Sequence, residues 1–61
     1  MAQAGSAIRA TREALGLTLE QLAAEAGCDA GYLSRVERGE RTPSKYFLAH
    51  LASVIERAEA A

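Results

Sequence analysis

Arg35, Arg38, Arg41 and Lys45 fall within one eleven-residue stretch, interrupted by Glu37 and Glu40. That stretch carries a net charge of +2. Elsewhere Arg9, Arg12 and Arg57 stand against Glu13, Glu20, Glu25, Asp29, Glu56 and Glu59, which leaves −3. Guanidinium and ammonium groups spaced this way, with the hydroxyls of Ser34 and Ser44 among them, suit charge-assisted hydrogen bonds to phosphate oxygens. A guanidinium can also fork onto the O6 and N7 atoms of guanine. One edge of the molecule is therefore expected to be basic and its body acidic. An overall charge of −1 does not exclude a polyanionic partner when the cations are gathered on one side. The bland alternative is a solvated loop with scattered arginines.

Other chemistry finds little support. Cys28 and His50 are the chain's single cysteine and single histidine, too few soft ligands for a zinc site. No nucleophile–base pair, carboxylate dyad or glycine-rich phosphate loop is visible. No catalysis, cofactor, metal or small-molecule ligand is expected. A lone cysteine cannot close an internal disulfide, and nothing reads as a signal peptide or an apolar run of membrane length. A reducing, cytoplasmic setting without membrane contact follows. Cys28 is expected to be a small buried thiol and His50 a surface residue.

The basic edge needs rigid elements to position it, and the patterning supplies four short helices with no alternating, strand-like stretch. Ser6 caps a first helix through Leu15, with Ile8, Arg12 and Leu15 on one stripe and Gly16 ending it. Residues 1–5 are expected to be a flexible N-terminus. "TLEQ", Thr18 to Gln21, reads as a capping box that starts a second helix, with Leu19, Leu22, Ala23 and Ala26 inward and Gly27 at its end. Asp29 caps a third, whose inward stripe is Ala30, Leu33, Val36 and Glu37, stopped by Gly39. Thr42 can cap a fourth with Pro43 at its first position, or Ser44 can cap slightly later. Its core-facing residues are expected to be Phe47, Leu48, Leu51, Ala52 and Ile55. The result is an all-α, compact four-helix domain over residues 6–56, with 57–61 as a helix extension or tail. At 61 residues one domain is the ceiling, and a chain of this size buries only about 60% of its unfolded surface.

The second and third helices carry a more specific pattern. Two short helices that cross steeply need a small residue at the contact, which Ala23 provides, and a tight turn, which Gly27 permits through positive φ. Leu33 and Val36 anchor the third helix and leave its opposite face free. This is the physics of a helix-turn-helix, whose second helix enters a major groove about 12 Å wide.

Ile8 to Glu56, about four-fifths of the chain, resembles the Cro/repressor-type (XRE-type, lambda-repressor-like) helix-turn-helix family. The pieces that carry the resemblance are "REALGLTLEQLA", "AG" followed by "YLSRVERG", then "TPS" and "FLAHLA". The resemblance implies a sequence-specific, usually dimeric, DNA-binding transcription regulator of bacteria or phages. It implies that Arg12 pairs with Glu37; both stand on apolar stripes, where either would be costly to bury alone.

Base readout is expected from the outward face of the third helix, at Gly31, Ser34 and Arg35, with Arg38 on the same face by spacing. Ala30 matches a position that often contacts bases in the family, where it could offer a methyl to thymine. Tyr32 either braces the DNA backbone through its hydroxyl or packs. Thr18 and Leu19, at the amide end of the second helix, together with Arg38, Arg41, Ser44 and Lys45, are expected to hold phosphates. Arg9 is a weaker candidate for the same role. The family often has Gln where this chain has Leu19, which removes one polar side-chain contact.

The expected partner is double-stranded DNA, as a palindromic operator bound by a homodimer at least on DNA. Family members commonly carry a fifth helix that helps dimerise, and "ERAEAA" only extends the fourth. Two alternatives remain: a protein-interaction or antitoxin-like module on the same fold, and the DNA-binding domain of a longer regulator. Met1 and the absence of a linker point away from the latter. So short a chain points to a repressor.

Overall fold

The computed structural model describes residues 3 to 60, and α1 (Gln3–Ala14) opens it. The helix starts before Ser6, so Ser6 is an exposed residue in its first turns and not its cap. The expectation of flexibility for Met1 and Ala2 lies outside the described residues. Gly5 lies within α1 and is buried against the end of the third helix. A Cβ there would run into the Val36 carbonyl oxygen and come within 2.9 Å of the Glu37 carbonyl oxygen. Only glycine lets the two backbones approach so closely.

The second helix, α2 (Leu19–Ala26), begins at the capping box. The Gln21 N–H donates to the Thr18 hydroxyl oxygen at 3.0 Å, and the Thr18 N–H donates to Gln21 Oε1 at 2.7 Å. Gly27 ends it with φ 70°, and the Cys28 N–H then donates back to the Ala23 carbonyl at 3.0 Å. In α3 (Ala30–Glu37) the Asp29 carboxylate accepts from the Tyr32 N–H at 3.1 Å. The last helix, α4 (Lys45–Ala60), takes the later of its two possible starts. Ser44 Oγ accepts from the Phe47 N–H at 3.1 Å, and Thr42 and Pro43 belong to the preceding loop. It runs on through residues 57–60, so the C-terminal segment is a helix extension over its described part.

Ile8, Leu22, Ala23, Ala26, Leu33, Val36, Leu51 and Val54 form the core, with Leu22 and Leu33 wholly removed from solvent. Pairing of α2 with α3, of α1 with α3 and of α2 with α4 closes it. One inward assignment on α4 needs correction. Val54 is buried and Ala52 is exposed, because the core line follows Phe47, Leu51 and Val54 at i, i+4 and i+7. Leu48 and Ile55 pack at its flank. Cys28 is half-buried against the core, where full burial was expected.

His50 lies at the surface, as expected, but its ring has a partner there. Its Nε2 lies 3.0 Å from the Ala26 carbonyl oxygen and, facing an acceptor, must carry the hydrogen. It satisfies one of the carbonyls that the C-terminus of α2 leaves open and pins that end to α4. The His50→Ala variant should therefore lose about 1 kcal/mol of stability, the usual net worth of one hydrogen bond. Urea denaturation reads this, and an unchanged midpoint would mean that water replaces the ring without cost.

Candidate nucleic-acid interface

The rotation of α3 about its axis decides which side chains face outward, and a buried ion pair holds it. Arg12 on α1 donates from Nε to Glu37 Oε2 at 2.8 Å and from Nη2 to Oε1 at 3.1 Å, a forked pair. Its Nη1 donates to the Leu17 carbonyl at 2.9 Å, so one guanidinium binds α1, the following turn and the end of α3 together. The side chains are only 13% and 5% exposed. The hydrogen bond to Glu37 holds the Arg12 pKa above its ordinary value against the opposing effect of burial, with further help from Glu37, Glu13 and Glu20 charges. A raised arginine pKa means that its stabilising contribution is fully present below the usual arginine range and is lost only as pH climbs through the higher folded value.

With α3 set in this way, Gly31, Ser34 and Arg35 lie half-buried along one side, and Arg38 continues the row in an exposed position. Ala30 is shared between roles, since it also packs against the core. Arg35 is more constrained than its position suggests. Its Nε is buried and has no hydrogen-bond partner among the described residues. Tyr32 is committed to packing by its ring, which meets Phe47 edge-on at 5.5 Å and 84°.

Around this row the cations are accessible. Arg41 and Lys45 are exposed, with Lys45 Nζ 5.4 Å from the centre of the Tyr46 ring. Arg38 pairs with Glu40 at 3.1 Å, but both side chains are more than half exposed, and such a pair is worth little and is easily exchanged for a phosphate. Arg9 is likewise paired on the surface, with Glu13 at 3.4 Å. At the head of α2 the Thr18 N–H is consumed by the capping box, leaving the Leu19 and Glu20 amides and the Thr18 hydroxyl hydrogen as donors. The Leu19 side chain packs on the core and offers nothing. The Ser44 oxygen is engaged in capping, although its hydroxyl can still donate.

Two residues near this surface escaped the sequence reading. Tyr46 is 77% exposed, a large ring beside the basic loop, and its place just after the Ser44 cap was the available signal. Asp29 was read only as a cap, yet its carboxylate stands at the entrance to the outward row. Burial, and then the Asp29 charge, push the Cys28 thiol pKa up, so it stays protonated and unreactive near neutrality. The described residues hold no cluster of three or more potential metal ligands, and no helix is long and apolar enough to cross a membrane.

A helix-turn-helix whose second helix is locked with a polar face outward defines a class of protein, and sequence comparison agrees with it. A family model described as a helix-turn-helix domain matches residues 3–61. The chain belongs to the XRE-like helix-turn-helix DNA-binding family. Uncharacterized HTH-type transcriptional regulators from two strains of Mycobacterium tuberculosis are 43% identical to it over 51 residues, covering 84% of this chain and 36% of each relative. The HTH-type transcriptional regulator SlrR of Bacillus subtilis is 42% identical over 53 residues, covering 85% of this chain and 35% of that protein. The chain thus spans about a third of the length of these curated relatives. No solved structure gives a significant match.

Breaking one side of a buried pair leaves an uncompensated charge. Glu37→Ala should cost about 3 kcal/mol, a large share of the about 3–9 kcal/mol that a domain of this size holds. Thermal denaturation followed by circular dichroism measures it, and a wild-type melting curve would refute the role given to the pair.

Proposed function

We propose that this chain is a sequence-specific DNA-binding module of a bacterial or phage transcription regulator, acting in the cytoplasm by placing α3 in the major groove. The observation that carries the reading is the row Gly31, Ser34, Arg35 and Arg38 on one side of a helix whose rotation is held by the Arg12–Glu37 pair. Arg35 is the main reader, forking onto guanine O6 and N7, a contact worth about 1–3 kcal/mol of discrimination. Ser34 contacts a neighbouring base or phosphate, and the Ala30 methyl meets a thymine methyl. Gly31 contributes through the absence of a side chain.

The rim holds the backbone. Arg38, Arg41 and Lys45 supply charge, and the hydroxyls of Ser44, Thr18 and Tyr32 donate to phosphates. The Leu19 amide adds a partial positive charge from the α2 terminus. Glu20, beside that amide, weakens this contact. Exposed cations surround base readers that are only half exposed, which is the arrangement expected when phosphates orient the protein and a few bases are then read.

Two such modules on a palindromic operator would place their recognition helices about 34 Å apart. An open apolar groove between α1 and α4, lined by Ala7, Ile8, Leu48, Leu51, Ala52 and Ile55, is the surface available for pairing. Repression is the mode favoured here, because occupying an operator requires nothing beyond binding.

Selection of bound sequences from random duplex DNA tests the reading. The wild type should enrich a guanine-containing motif and lose roughly a thousandfold in affinity between 50 and 200 mM salt if about six phosphates are contacted. Arg35→Ala should lose the guanine preference and keep most of the salt dependence. A wild type that enriches no motif would falsify base readout, and a motif untouched by Arg35→Ala would remove Arg35 as its reader.

A further inference from the structure

Gly31 lies between two opposite charges that do not pair. A Cβ built on it would come 2.7 Å from Asp29 Oδ2 and 3.6 Å from Arg35 Nη1. The ion pairs of the described residues are Arg9–Glu13, Arg12–Glu37 and Arg38–Glu40, and Asp29 and Arg35 form none with each other. Each is nonetheless held. The Asp29 carboxylate is fixed by the Tyr32 N–H, and the Arg35 stem is packed closely enough to bury its Nε. An acceptor-only group and a donor-only group thus flank a bare glycine on the outward side of α3.

The partner that matches this arrangement presents a hydrogen-bond donor beside two adjacent acceptors. In the major groove a G·C pair does so: the cytosine N4 amino group donates, and guanine O6 and N7 accept. An A·T pair offers its acceptors on either side of the adenine amino group, so a guanidinium fork cannot take both. We propose that Asp29, Gly31 and Arg35 act as one unit that reads both bases of a single G·C pair. Arg35 takes the guanine, Asp29 accepts from cytosine N4, and Gly31 admits the base-pair edge between them. Asp29 becomes a specificity residue as well as a cap. This rests on the base-reading role of α3 given above and adds the second half of the base pair.

Binding of the 61-residue chain to its selected duplex, followed by fluorescence anisotropy, tests it with two base analogues. N4-methylcytosine opposite the guanine read by Arg35 keeps the pairing but replaces the groove-facing N–H with a methyl. It should weaken wild type about tenfold, within the range of a base-edge contact. Asp29→Ser, which retains a good helix cap, should bind the unmodified duplex about tenfold more weakly and lose nothing further on the modified one. Gly31→Ala puts a methyl against the Asp29 carboxylate. That oxygen also caps α3 through the Tyr32 N–H, so the carboxylate must shift to make room, and the variant's preference for cytosine should fall.

Wild type indifferent to N4-methylcytosine, or Asp29→Ser penalised by it as strongly as wild type, overturns the proposal. The second analogue, 7-deazaguanine, reports on Arg35 alone. A loss with it but none with N4-methylcytosine sinks the composite reader and leaves base reading by α3 standing. No selected motif, or indifference to both analogues, sinks both.

Discussion

The forked pair between Arg12 and Glu37 is the constraint on which the remaining geometry depends. It is the one charged contact buried in the described structure, and it ties α1 to the end of α3 and, through the Leu17 carbonyl, to the turn between α1 and α2. Apolar packing alone resists rotation of a short helix only weakly, because leucine and valine contacts carry little directional preference. A bidentate guanidinium–carboxylate bond has a plane and a direction. It costs desolvation that an apolar pair would avoid. In return it restricts α3 to the one rotation in which Gly31, Ser34 and Arg35 face away from the core.

The neighbouring contacts serve the same end from other sides. Gly5 allows the start of α1 to press against the backbone at the end of α3, and His50 holds the end of α2 to α4 just before the turn. Asp29 fixes the start of α3, and Tyr32 meets Phe47 across the gap to α4. Helix α3 is eight residues long, too short to be stable alone, so its order comes from these anchors. This explains why its outward residues are half-buried and not free: the helix that presents them is itself wedged among three others.

Charge is divided to match. The acidic residues that set the net charge at −1 lie mostly on α1, α2 and the end of α4, while Arg38, Arg41 and Lys45 cluster beyond α3. A polyanion meets attraction at one edge and repulsion elsewhere, which orients an encounter even without a large net charge. Asp29 and Glu20 are exceptions near that edge, as is Glu40, which pairs with Arg38. Under the function proposed above, Asp29 reads cytosine, whereas Glu20 weakens the phosphate contact at the head of α2.

Much of this was legible along the chain, because local signals dominate in short helices. The "TLEQ" box, the Asp29 cap and Gly27 mark α2, the turn and α3 by chemistry that acts within a few residues. The spacing of Leu22, Ala23, Leu33 and Val36 marks the packed faces. The misses share one cause. The start of α1, the Ala26 partner of His50, the inward Val54 and the half-exposure of Cys28 each depend on what another helix places opposite them, and a single sequence carries no such distances. Arg35 and Asp29 were visible as residues, but their approach around Gly31 was not. The sequence by itself determined the four helices, the caps of α2 and α3 and the charge asymmetry, since these follow from propensity and composition. Only the tertiary structure decided how far each outward side chain is freed and which groups converge at Gly31, because convergence is a matter of how α3 is turned and held.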